Sequence, residues 1–130
     1  MYSDNYFSLP CWVIAGHSLG GALACRLIGP DCPQIAAVAL VGTTHPNRND
    51  LSAIKIPVTK IYGTQDGIAL PDRIVANKHL LPPDTRWVEI EGGNHSQFAN
   101  YGYQLLDGTP GITRDEQQRI TRAAIQDLLD

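Results

Sequence analysis

The chain has 130 residues, which suits one domain and is too short for two ordinary ones. Its composition is 43% hydrophobic and 18% charged with a formal net charge of −3, ordinary for a globular protein. No basic cluster points to nucleic acid or an anionic membrane, and no stretch approaches the ~20 apolar residues of a membrane helix. The opening residues lack the basic start and apolar run of a signal peptide; that says little about the compartment, for which the cytoplasm is only the default expectation. Cys11, Cys25 and Cys32 are an odd, sparse set without a CxxC pair, which argues against a disulfide scaffold and against a metal site.

The first element is a short apolar run, residues 11–15, stopped by Gly16. It reads as a strand buried on both faces. Residues 19–28 read as a helix, with Leu19, Leu23 and Leu27 at four-residue spacing and Gly29-Pro30 as its stop. Its small residues Gly20, Gly21, Ala22 and Ala24 are expected to let it sit close to a sheet. Residues 35–41 form a second apolar strand, and a polar loop follows through Asp50. Residues 58–62 form a third strand, entered through Pro57 and left through Gly63.

Pro71 opens a short helix that ends before Pro82-Pro83. Residues 86–91 alternate polar and apolar, as a strand nearer a sheet edge does. A long irregular stretch, residues 92–110, is of the kind that carries function. Thr113 and Glu116 then offer a capping box for a last helix, whose Ile120, Ala124 and Leu128 are placed to face a sheet. This alternation predicts an α/β fold with a mostly parallel sheet of about four strands and flanking helices.

Gly16-His17-Ser18-Leu19-Gly20 matches G-x-S-x-G between a predicted strand and a predicted helix. Such a turn lifts a serine hydroxyl above the sheet, and side chains two positions either side are expected to collide with the neighbouring backbone. The Leu19 N–H, at a helix N-terminus, is positioned to be one oxyanion donor.

A serine hydroxyl needs a base, commonly a histidine held by a carboxylate. Of the four histidines, His95 follows the fourth strand in Gly-Gly-Asn-His, at the end of a parallel sheet where sites form. His79 reads as a solvated surface residue. His17, within the turn, and His45, after the second strand, are candidates to contact substrate, as is Phe98. Asp66, after the third strand, is the candidate acid. Asp50 and Asp72 are weaker rivals, one in a polar loop and one in a first helical turn.

Three segments, residues 13–21, 61–67 and 90–98, together resemble the α/β-hydrolase superfamily, and Ser18, Asp66 and His95 follow its Ser…Asp…His order. The chain is similar to small, lidless members near dienelactone hydrolases and carboxylesterases, with serine where dienelactone hydrolases have cysteine. The resemblance implies ester hydrolysis through an acyl-enzyme, a small-molecule ester substrate and no cofactor. Residues 42–57 are too few for the large lid of many lipases, so short acyl chains are expected. Activity is expected to rise through about pH 6 to 7, where histidine loses its proton.

Residues 1–130 then read as one partial domain, the C-terminal part of the fold. Family members carry strands before the serine turn that also supply a second oxyanion donor. Losing one donor typically costs ~10² to 10³ in rate. The 11–15 strand is expected to become an exposed apolar edge, driving self-association or pairing with an N-terminal piece. The other readings are a non-catalytic remnant acting as an interaction module, and a thioesterase, peptidase or perhydrolase on the same fold.

Overall fold

The computed structural model describes residues 11–29 and 31–130. Pro30, read as part of a helix stop, and the ten opening residues lie outside them. The elements follow as β1 (Trp12–His17), α1 (Leu19–Leu27), β2 (Ile35–Val41), β3 (Val58–Gly63), α2 (Pro71–Ala76), β4 (Arg86–Ile90) and α3 (Arg114–Leu129). Short 3-10 turns cover Lys78–Leu80 and Ser96–Phe98.

The strands form one four-stranded sheet in the order β1-β2-β3-β4, every neighbouring pair parallel. This is the predicted architecture. Side chains alternate across a strand, so β2 divides between two cores. Val38 and Leu40 meet Ala24 and Cys25 of α1, with Leu51 of the connection between β2 and β3. Val41 meets Ile61, Ile90 and Ala124 of α3 on the opposite face. The N-terminus of α3 is capped as read, the Glu116 N–H donating to Thr113 Oγ1 at 3.1 Å. The Glu116 carboxylate pairs with Arg119 instead of reaching back to Thr113.

The small residues of α1 pack as expected: its buried face is Gly21, Ala22, Ala24 and Cys25, which allow close approach to the sheet. Leu19, Leu23 and Leu27 are 72%, 52% and 48% exposed. One expectation about packing needs correction: β1 is not buried on both faces. It forms one edge of the described sheet, and Trp12 is 58% exposed. β4, the strand expected near an edge, forms the other.

All the strands point the same way, so their C-terminal ends gather in one row. The segments that follow β1, β2, β3 and β4 begin there: the serine turn, Gly42–His45, Thr64–Ala69 and Gly92–Phe98. Site residues that are distant in sequence can meet along this edge.

Candidate active site

Ser18 occupies the turn between β1 and α1 with φ 56° and ψ −117°, a left-handed conformation that costs a serine ~1 to 3 kcal/mol. Its N–H donates to the Val41 carbonyl at 2.9 Å, fixing the turn to the end of β2. A Cβ at Gly16 would lie 2.3 Å from the Gly20 carbonyl oxygen, so this glycine is required as expected. Gly20 is not: a Cβ there meets nothing within 4 Å among the described residues. The second tight position is Gly21, where a Cβ would come 2.6 Å from Thr43 Cγ2. The constraint sits one residue further along because α1 packs against the segment after β2.

His95 Nε2 lies 3.1 Å from Ser18 Oγ. His95 Nδ1 lies 2.8 Å from Asp66 Oδ2. With the proton on Nδ1, the ring donates to the carboxylate and leaves Nε2 free to accept from the serine. Asp66 and His95 are each 2% exposed. The other carboxylate oxygen of Asp66 accepts from the N–H groups of Ile68 and Ala69, at 2.8 and 2.7 Å. Those bonds fix which oxygen faces His95. Leu19 opens α1, so its N–H has no carbonyl four residues back within the helix. Asp50, Asp72 and His79 are exposed and stand apart from this group.

A cleft of about 260 Å³ is lined by Ser18, Leu19, Thr43, His45, Ile68 and Ala69, among others. His45 thus borders the serine. Burial and the nearby Lys60 and Arg26 cations all lower its pKa, which favours the neutral ring. His17 and Phe98 do not line this cleft. The His17 ring packs behind His95, its centroid 4.6 Å from the His95 ring and 5.4 Å from Phe98. Its Nδ1 is 2.9 Å from the Tyr101 hydroxyl. Burial above all, with the neighbouring His95, pushes the His17 pKa down to about 4, against a smaller opposing pull from Asp66. Phe98 packs toward Val41 and Ile61 on the α3 side of the sheet. Both rings come close to Gly42, which lines the cleft: a Cβ there would lie 3.1 Å from His17 Cδ2 and from Phe98 Cδ2.

The sequence reading also passed over several residues. Gln117, fully buried on α3, accepts from the Asn94 N–H and donates to the Asn94 carbonyl, holding the residue before His95. Lys60 lies within the sheet, 1% exposed, with its ammonium donating to the His45 carbonyl. Burial lowers its pKa to about 8, against a pull upward from Cys25. The available signal was a lone cation in the apolar run Val-Thr-Lys-Ile-Tyr. Asp107, buried in the long loop, accepts from backbone groups on both sides of the Asp66–His95 pair. Its only sequence mark is an Asp-Gly pair, which turns also use.

Residues 2–119 match the model of an alpha/beta hydrolase family. The chain belongs to that family. Among solved structures it is similar to a predicted CIB-like hydrolase of Thermoplasma acidophilum, with TM-score 0.65 and 16% identity over 92% of this chain and 51% of that one. It is also similar to a monoacylglycerol lipase of Paleococcus ferrophilus, with TM-score 0.62 and 14% identity over 90% and 69%. A third is the esterase RhEst1 of a Rhodococcus species, with TM-score 0.57 and 16% identity over 92% and 66%. The chain thus spans about half the length of the first of these structures. No curated protein shows a significant sequence match to it.

Proposed function

We propose that the chain carries the reacting centre of a serine hydrolase that cleaves small carboxylic esters. The observation that carries this reading is the unbroken series Ser18 Oγ, His95 Nε2, His95 Nδ1, Asp66 Oδ2, with separations of 3.1 and 2.8 Å. It lies beside an open cleft at the C-terminal edge of a parallel sheet. Ser18 Oγ attacks the ester carbonyl carbon while His95 Nε2 takes its proton. The carbonyl electrons move to oxygen, and the Leu19 N–H stabilises that charge. The electrons return, the bond to the alcohol oxygen breaks, and His95 passes its proton to the leaving alkoxide. Water then repeats the sequence on the acyl-serine, releasing the acid. Asp66 keeps the imidazole in the productive tautomer and stabilises its cation. The cycle so written uses no cofactor.

Esterase and lipase appear among the names of the structural neighbours, in line with an ester substrate. The connection between β2 and β3 packs Leu51, Ile54 and Ile56 against the core. It therefore lies along the sheet face instead of arching over Ser18, which favours short or accessible esters. A fluorophosphonate probe read by intact mass tests the centre. A single adduct is expected on the wild-type chain and none on Ser18→Ala. Hydrolysis should then be faster for p-nitrophenyl acetate or butyrate than for the palmitate. The opposite order would exclude the short-chain preference.

β1 is an edge of the described sheet, and α1, which follows it, exposes Leu19, Leu23 and Leu27. We assign them to pairing with polypeptide that supplies further strands of a hydrolase domain. Such a partner is also the expected source of a second oxyanion donor. Concentration-dependent dimers in analytical ultracentrifugation would instead favour self-association through the same edge, and a monomer at high concentration would argue against an adhesive edge.

A further inference from the structure

The acid and base of the triad come from two loops that have no covalent reason to keep a fixed distance. Asp66 comes from the segment after β3 and His95 from the segment after β4. Near the sheet these segments are joined by backbone bonds, Thr64 N–H to the Ile90 carbonyl at 3.1 Å and Gln65 N–H to the Gly93 carbonyl at 2.8 Å. Further from the sheet, one carboxylate spans them. Asp107 Oδ1 accepts from the Gly67 N–H at 3.1 Å and from the His95 N–H at 3.1 Å. It also accepts from the Gly108 N–H at 2.8 Å. Asp107 Oδ2 accepts from the N–H and the hydroxyl of Ser96, both at 2.7 Å.

The residue next to the acid and the base itself are therefore held by the same oxygen atom. We propose that Asp107 is a positioning residue for the triad, setting the Asp66–His95 hydrogen bond by locking the acid turn to the base loop. The inference rests on the serine-hydrolase reading only for its consequence in rate.

Three observations separate this role from ordinary loop packing. Leu105 and Leu106 beside it are 81% and 78% exposed, so apolar burial does not hold the segment in place. Leu106 has φ 75°, a left-handed conformation unfavourable for a branched side chain. Polar bonding must outweigh that cost. The backbone also fits tightly, since a Cβ at Gly108 would lie 1.9 Å from the Gln65 carbonyl oxygen and one at Gly67 2.4 Å from that of Leu106.

A buried carboxylate is costly unless its oxygens are filled by donors. Here the donors belong to the acid turn, the base loop and the residue after Asp107. Burial alone would raise the Asp107 pKa, but the Ser96 hydroxyl and the N–H groups of Ser96, Gly67 and His95 outweigh it and hold the carboxylate ionised. Asp107 does not compete with Asp66 for the imidazole, because it meets His95 only at the backbone N–H.

Asp107→Asn tests the role. In either orientation the amide sets Nδ2 against backbone N–H donors, those of Gly67, His95 and Gly108 or that of Ser96, so one side of the clamp is lost without a change in volume. The variant is expected to stay folded by circular dichroism and to react with a fluorophosphonate probe ~10²-fold more slowly, the scale of a small misplacement of reacting groups. It should also lose the downfield proton resonance of His95 Nδ1–H.

Labelling within two-fold of wild type would overturn the proposal. So would slower labelling with that resonance unmoved, the mark of a merely structural loss. If the wild-type chain does not label, the hydrolase reading fails while the resonance still decides on Asp107: its loss in Asp107→Asn supports the clamp, and its retention overturns it. Should Asp107→Asn not fold, Ser96→Ala decides. It removes the hydroxyl's bond to Asp107 and the one it accepts from the Gln104 N–H, and leaves the Ser96 N–H in place. It is expected to shift the resonance and slow labelling several-fold, and an unchanged Ser96→Ala would overturn the proposal.

Discussion

The two ends of the candidate site are held in different ways. Asp66 and His95 stand among buried polar groups whose hydrogen bonds cross between segments: Asp107 and Asn94 tie one loop to another, and Gln117 ties α3 to the segment of His95. Ser18 is held by a strained turn and a backbone bond to Val41. The strand beneath it is an edge, and the helix behind it shows a leucine face to solvent. The acid–base end is complete within the described residues. The nucleophile end has one packed face and one bare one. A preorganised site needs both, so the difference locates where further packing would matter most: beside β1 and α1.

The largest expected effect would break the comparison outright. Ser18→Ala should lower ester hydrolysis or probe labelling by at least ~10⁴-fold, and Asp66→Asn by on the order of 10³ to 10⁴. If Asp66→Asn labelled as fast as wild type, the ordered acid–base end would have no chemical purpose. The next effect concerns packing. Leu40, fully buried between α1 and the sheet, should cost about 2–5 kcal/mol when truncated to alanine. Leu23→Ala, on the bare face, should stay within about 0.5 kcal/mol for the isolated chain. Urea unfolding measures both. A large loss at Leu23 would mean the bare face is already covered in solution.

The smallest effect sharpens the picture beneath the cleft. Lys60 has a folded-state pKa near 8, below its usual 10.5. Between those values the unfolded chain still holds a proton that the folded chain has released. Raising the pH from about 8 to about 10.5 therefore adds stability through this group. Relative to Lys60→Met, the wild-type melting temperature should gain a few degrees over that range. A constant difference between the two proteins would show that Lys60 is not buried as a strained cation.

The fold was legible because each strand and helix is announced locally. Apolar runs of strand length end at Gly16, Gly42 and Gly63, and Pro71 and Thr113 mark helix starts. The three residues named from motif and strand-end position, Ser18, Asp66 and His95, come within hydrogen-bond distance of one another in series. His45 was legible for the same reason, as a residue at a strand's C-terminal end. For His17 and Phe98 the sequence gives the neighbours along the chain but not the direction in which a ring points, and folding sets the two rings 5.4 Å apart beside Gly42.

The sequence by itself thus determined the order of the elements, the parallel sheet and the residues gathered along its edge, since periodicity and turn chemistry are local properties. The tertiary structure alone decided the roles of Lys60, Gln117 and Asp107. Their partners lie on other elements, and a buried polar group takes its meaning from the donors and acceptors that folding brings to it.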